Sequence, residues 1–358
     1  MRKAAMLAFL ALFACGRAEP GGNDRKAVPG RDLVIMDETR GPVELQREID
    51  RLRATVDGPV GISVRDLDEG WKVENGAGRL LPQQSVSKLW VALALLDAVD
   101  RGTLSLDAPL MVTQSDLTLF HQPIASLVGP AGYATNPRRL LERALTQSDN
   151  TANDRLLTLV GGPQAVKRAL AIRNITGVGF GSGERALQSE TAGMTWRQDY
   201  ARGGFERARS SLPAYARSQA YRRYVDNPPD GASANGITTA LGKIRAGQAL
   251  SSASTDLLLS IMSRTRTGRA RLRAGLTTGW RIAHKTGTGQ TYAGRTAGFN
   301  DVGFLISPDG HVYAVAVMIG DDGSGERVRQ RLIAGVARAV VAAHVARHPY
   351  TAWSTSAS

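Results

Sequence analysis

The chain has a single cysteine, Cys15, in 358 residues, so no intrachain disulfide can form and packing and hydrogen bonds must hold the fold. Aromatic residues are sparse, at 6%. The formal charge is +13, but the arginines are spread along the sequence and no nucleic-acid motif accompanies them. The charge is read as attraction to anionic surfaces such as a bacterial envelope, and no nucleic-acid partner is expected. The histidines are His121, His284, His311, His344 and His348. None belongs to an H-E-x-x-H site. His344 and His348 have ligand spacing, yet Arg347 and the missing glutamate break the pattern. At the end of a C-terminal helix they read as favourable helix-end charge. A metal or organic cofactor is therefore not expected. A G-x-S-x-G elbow is absent, and Gly242-Lys243 is followed by Ile244, which excludes a P-loop. The apolar run within residues 1–15 is too short to span a bilayer.

That run is informative for another reason. Arg2 and Lys3, a short apolar stretch and Ala14 before the break make an export signal over residues 1–15. Leu12-Phe13-Ala14-Cys15-Gly16 resembles a bacterial lipoprotein processing site, with Phe13 atypical there. Cys15 is expected to carry the lipid, giving a periplasmic, lipid-anchored protein with no other membrane contact. Residues 16–41, rich in Gly, Pro and charge, read as a flexible tether.

Three short motifs carry the chemistry. They are Ser85-Val86-Ser87-Lys88, Ser148-Asp149-Asn150 and Lys285-Thr286-Gly287, in that order. Singly, each has an ordinary structural reading: a serine capping a core helix, a polar helix cap and a hairpin turn. Together they offer a nucleophile, its base, a proton-relay hydroxyl and a cationic wall. A serine hydroxyl must lose its proton to a nearby base before it attacks. Ser85 and Lys88, three apart at a helix start, share one face. An amine takes that proton only where desolvation or neighbouring cations favour its neutral form. The apolar run from Leu89 to Leu96 predicts a buried helix with Lys88 at its inner end.

The ordered set resembles class A serine β-lactamases and the related penicillin-binding proteins. Ser148 to Pro163, ending in Gly161-Gly162-Pro163, is similar to the corresponding family helix and turn. The same register reaches Glu184 and Leu187, which match a family loop, whereas Gln188 replaces its asparagine. The resemblance covers most of residues 42–346, with a gap at an insertion over 189–231. It implies that Ser85 attacks and that Lys88, with or without Glu184 through water, takes the proton. Ser148 relays a proton to the leaving nitrogen, and Asn150 holds a substrate carbonyl. Lys285 and Thr286 bind the substrate carboxylate. Gly287 and Gly289 give an extended substrate room against the backbone, and the N–H groups of Ser85 and Thr288 form the oxyanion hole. Glu184 activates the deacylating water with Gln188 as an amide partner. Arg295 is placed as a second carboxylate ligand, and Phe120-His121 as pocket wall. The family residues that pin the Glu184 loop have no clear counterpart; Ser182 stands where an arginine is usual.

Periodicity supplies the fold. Leu45, Ile49, Leu52 and Val56 predict a helix over Pro42–Thr55. Strands are expected at Pro59–Leu67, Trp71–Asn75, Trp280–Lys285, Gly298–Ser307 and His311–Gly320, followed by a helix over Glu326–Ala346. Between them the pattern is helical, with one extra helix over Ser211–Val225 in the insertion. The class is α/β (α+β): residues 42–81 and 270–348 form an antiparallel sheet flanked by terminal helices, and 82–269 an inserted all-helical domain. The resemblance identifies this with the β-lactamase/transpeptidase fold. The expected protein is a monomeric β-lactam hydrolase acting on a small-molecule β-lactam. A D-alanyl-D-alanine carboxypeptidase and a β-lactam-acylated receptor are the alternatives.

Overall fold

In the computed structural model, which describes residues 40–349, α1 (Val43–Arg53) buries Leu45, Ile49 and Leu52 along one stripe. The chain continues through β1 (Val60–Asp66), β2 (Lys72–Asn75) and α2 (Lys88–Asp100) into the helical region. There α3 (Glu184–Thr191), α4 (Gly204–Ser211) and α5 (Ala214–Asp226) matter most below. It returns through β3 (Arg281–Thr288), β4 (Arg295–Ile306), β5 (Val312–Asp322) and α6 (Glu326–Arg347). The main sheet runs β2-β1-β5-β4-β3, every pair antiparallel.

Side-chain alternation on β5 shows why the sheet is buried on both faces. Val315, Val317 and Ile319 enter one core with Ile49 of α1 and Ile333 and Val336 of α6. Ala314, Ala316 and Met318 enter a second core with Ala240 and α2 residues. A strand covered on both sides reads as a continuous apolar run, as this one does. Ser63 of β1 faces the second layer, where its hydroxyl meets Thr238 Oγ1 at 2.8 Å. α2 is apolar all round, and a helix with no polar face belongs in a core.

The expected elements form, with four differences. The Trp280 strand runs on to Thr288, and the Gly298 strand begins at Arg295, because the two pair from Arg281↔Ile306 to Thr288↔Phe299. Glycines in that stretch hide its periodicity. Within the region expected to be helical, the stretch from Pro137 is regular only to Glu142 and ends in a wider π turn, Arg143–Gln147. The insertion makes two helices, α4 and α5, broken at Pro213, whose fixed φ suits the start of the second. Gly41 N donates to Lys72 O at 2.9 Å, so the end of the expected tether joins the sheet edge. The export signal, Cys15 and the rest of the tether lie outside the described residues. Among the described residues, no helix is long and apolar enough to cross a membrane.

Candidate active site

Ser85 stands in a single 3₁₀ turn, Gln84–Ser87, that feeds directly into α2. The turn is tied down from behind. Gln84 N donates to Asp230 Oδ2 at 2.8 Å, and Gln83 Nε2 donates to Gly179 O at 2.8 Å and Asp230 O at 2.6 Å. Gln84 itself takes φ 54°, a left-handed conformation that a side chain disfavours and that surrounding bonds must enforce. Lys88 is 1% exposed. Its Nζ donates to Ser85 Oγ at 2.8 Å, to Asn150 Oδ1 at 2.9 Å and to Glu184 Oε1. An ammonium has three protons to give, and all three are placed. Passing one to Glu184 would free a lone pair next to Ser85 Oγ.

Ser148-Asp149-Asn150 divides its labour. Asp149 is the N-cap of the helix Asn150–Leu159: Oδ1 accepts from Ala152 N at 3.0 Å and Oδ2 from Ile124 N at 2.6 Å. The flanking residues are thereby turned to the chemistry. Ser148, at φ 62°, closes the π turn and its Oγ accepts from Lys285 Nζ at 2.9 Å. Asn150 gives its Oδ1 to Lys88, while its Nδ2 donates to Leu119 O at 2.9 Å.

β3 forms the opposite wall. Lys285 is fully buried and does not stand on the cleft surface: Nζ donates to Ser148 Oγ and, at 2.8 Å, to Thr286 O. Burial, then the nearby Lys88 charge, push its amine well below the usual lysine range, so it can exchange a proton with Ser148. Gly287 is needed for another reason than substrate approach. A β-carbon there would lie 2.3 Å from Gln83 O, so glycine lets β3 close on the nucleophile turn. The Asn300 side chain clamps the same junction, donating to Pro82 O at 2.8 Å and Gln83 O at 3.0 Å.

Glu184 opens α3, and Gln188 follows one turn later on the same face. The helix start is capped by Asp154, which accepts from Glu184 N at 2.9 Å and Arg185 N at 3.1 Å. This aspartate, unremarked in the sequence, is what pins the segment. Burial and then the Glu184 charge push the Asp154 carboxyl up to about 6. Gln188 Nε2 donates to Glu184 Oε2 at 3.1 Å and Gln84 Oε1 at 3.0 Å, and Gln290 Nε2 holds Gln188 Oε1 at 3.0 Å. The insertion supports the helix from behind. Leu187 packs with Tyr221 and Tyr224 of α5, and Tyr224 Oη accepts from Gln84 Nε2 at 2.5 Å.

These elements surround a cavity of about 690 Å³ lined by Ser85, Ser148, Asn150, Gln188, Thr286 and Thr288, with Phe120 and His121 at its wall. Gly289 and Gln290 also line it, as does Arg209 from α4. Arg295 does not reach it. Its guanidinium is exposed and binds Asp321 through Nε at 2.8 Å. Arg271 lines the cavity in its place, donating to Thr288 Oγ1 at 2.5 Å and lying 3.7 Å from the Phe299 ring. Burial pulls Arg271 down to about 10, so it stays cationic at neutral pH. Arg271 precedes the Lys-Thr-Gly strand in a run of arginines that offered no local signal to single it out. Among the described residues, clusters of three histidines and carboxylates able to hold a metal involve Asp66, Asp68, His311, His344 and His348, none of them in this cavity.

A family model described as the beta-lactamase enzyme family matches residues 44–344. The extended-spectrum β-lactamase PER-1 of Pseudomonas aeruginosa is 29% identical over 296 residues, covering 82% of this chain and 85% of its own length. The β-lactamase VEB-1 of the same organism is 25% identical over 294 residues, covering 82% and 88%. Among solved structures, a β-lactamase from Chitinophaga pinensis superposes with a TM-score of 0.70 at 31% identity, over 84% of this chain and 98% of that one.

Proposed function

The chain belongs to the β-lactamase enzyme family, and on that premise we propose that it hydrolyses the β-lactam amide bond through an acyl-enzyme on Ser85. One observation carries the residue roles: Lys88 Nζ touches both Ser85 Oγ and Glu184 Oε1. Ser85 Oγ bonds to the lactam carbonyl carbon as its proton leaves to Lys88, directly or on to Glu184. The N–H groups of Ser85 and Thr288 stabilise the oxyanion. The C–N bond breaks as Ser148 passes a proton to the nitrogen, replenished from Lys285. Thr286, Thr288 and Arg271 receive the substrate carboxylate, since hydroxyl and guanidinium donors suit it. Asn150 offers its amide to the substrate side chain. The proton taken up in acylation is released to solvent, and Lys285 regains one. Water then attacks the ester, Glu184 takes its proton, and that proton passes through Lys88 to Ser85 Oγ as the ester C–O bond breaks.

The test follows a chromogenic cephalosporin over many equivalents. The wild type should turn over continuously. Glu184→Gln should slow deacylation by about 10²–10⁴-fold, and intact-mass spectrometry should show the enzyme carrying one β-lactam. Unaltered turnover would remove Glu184 from this role. A wild-type burst of one equivalent that stops would point to a peptidase or receptor.

The signal-type residues 1–15 support a periplasmic location with lipid on Cys15. Expressed in a bacterial host, the wild type should partition with membranes and Cys15→Ser should not. Equal partitioning would reject the anchor.

A further inference from the structure

The strongest side-chain cluster outside the cleft lies where α6 ends against the start of β5. His344 and His348 sit one helical turn apart, and His311 comes from the strand side. Their ring centroids are 4.5 Å apart for His344–His348, 5.0 Å for His311–His348 and 5.6 Å for His311–His344. One ring nitrogen from each falls within 4.8 Å of the others. A carboxylate stands by each imidazole. Asp309 Oδ1 is 3.3 Å from His344 Nε2, Glu69 Oε1 is 3.5 Å from His348 Nε2, and Asp66 Oδ2 is 2.7 Å from His311 Nε2. The Tyr313 hydroxyl meets His344 Nδ1 at 2.9 Å, which fixes the ring and leaves Nε2 as the ligand atom.

The geometry points to a binding site for a divalent transition ion of the zinc class, held by His311, His344 and His348. Imidazole nitrogens suit such ions, and a nearby carboxylate or water completes four-coordination. Water is the better fourth ligand, because Glu69 is already engaged by Arg347 and by the Trp71 indole, and Asp309 Oδ1 accepts from Ser307 Oγ. The acidic surround offsets the added charge. The ion would tie the end of α6 to β5 and, through Asp66 and Glu69, to the β1–β2 turn.

The site is separate from the hydrolytic centre and does not rest on that function. Met318 pairs with Asn300, and Asn300 with Gly287 of the cleft wall. His311 lies seven residues earlier along the chain from Met318, about 20 Å at the rise of a strand. The sequence reads His344 and His348 as helix-end charge; His344 is instead buried, with its Nδ1 held by the Tyr313 hydroxyl.

The test uses the full mature chain without a histidine tag, stripped with chelator. Zn²⁺ is titrated calorimetrically and bound metal is counted after gel filtration. One ion per chain is expected, with a raised Tm, and Co²⁺ should give the visible d–d bands of a four-coordinate site. His348→Gln, at the more exposed ligand, should weaken Zn²⁺ binding by at least about ten-fold while cephalosporin turnover and far-UV circular dichroism stay unchanged. His311→Gln should do the same. Failure of the wild type to retain Zn²⁺, or equal uptake by the His311→Gln/His348→Gln double variant, would overturn the site. The imidazoles would then be hydrogen-bond partners of the carboxylates only.

Discussion

The arginine that lines the cleft is Arg271, whereas Arg295 lies outside it. Arg271 is buried beside Thr288 and holds Gly287 O at 3.0 Å and Asn300 O at 2.7 Å, so it both shapes the wall and faces the cleft. Arg295 is spent on Asp321 at the surface. A charged hydrogen bond to substrate contributes about 1.5–3 kcal/mol, so Arg271→Gln should lower kcat/KM by roughly 10–100-fold, mainly through KM. Arg295→Ala removes an exposed ion pair and should leave kcat/KM nearly unchanged. Steady-state kinetics on the two variants decides between them, and the reverse order would restore Arg295 to the site.

In the proposed cycle, turnover depends on α3. Asp154 caps its first turn, Glu184 and Gln188 project from one face, and Leu187, on the adjoining flank, anchors the helix in the α5 cluster. The longer glutamine at 188 is accommodated because its amide reaches Gln84 as well as Glu184. Leu187 is 4% exposed, and truncating a buried leucine costs about 2–5 kcal/mol. Leu187→Ala should therefore lower stability by that amount in urea unfolding. It should also slow steady-state turnover more than the acylation burst, since Ser85 and Lys88 are held by a different turn. Equal losses in both phases would show that α3 is not an independent support.

At the scale of the whole molecule, two buried carboxyls shape the pH dependence of stability. Burial pushes Asp154 and Asp230 up to about 6, against an ordinary value of 3.8. The folded state then binds protons more tightly than the unfolded one between those values. Their contribution to stability is greatest in acid and is lost as pH rises through 6. Among the described residues, Asp230 Oδ1 is buried without a hydrogen-bond partner, so an ionised carboxylate there is poorly compensated. Asp230→Asn keeps the acceptor for Gln84 N and removes the ionisation. From pH 5 to 7.5 the wild type should lose on the order of 1 kcal/mol relative to this variant, seen as a widening Tm difference. A constant difference would mean that Asp230 does not titrate in this window.

Much of the protein is legible in its sequence. Leu45, Ile49 and Leu52 at helical spacing and the Val–Ile strands follow local rules, because side-chain direction repeats every 3.6 or every two residues. Ser85 with Lys88, and Glu184 with Gln188, are also local pairs, three and four residues apart on one helix face. Other relations needed the folded chain. Gly287 serves Gln83, Arg271 displaces Arg295, Asp154 caps Glu184, Tyr224 reaches Gln84, and His311 meets His344 and His348. Several of these partners are far apart in sequence, and no periodicity records their meeting. Sequence alone determined the elements, the order of the reactive groups and the family they resemble. Tertiary structure decided which charges are buried and which neighbours they face, because strand register and layer packing set those distances.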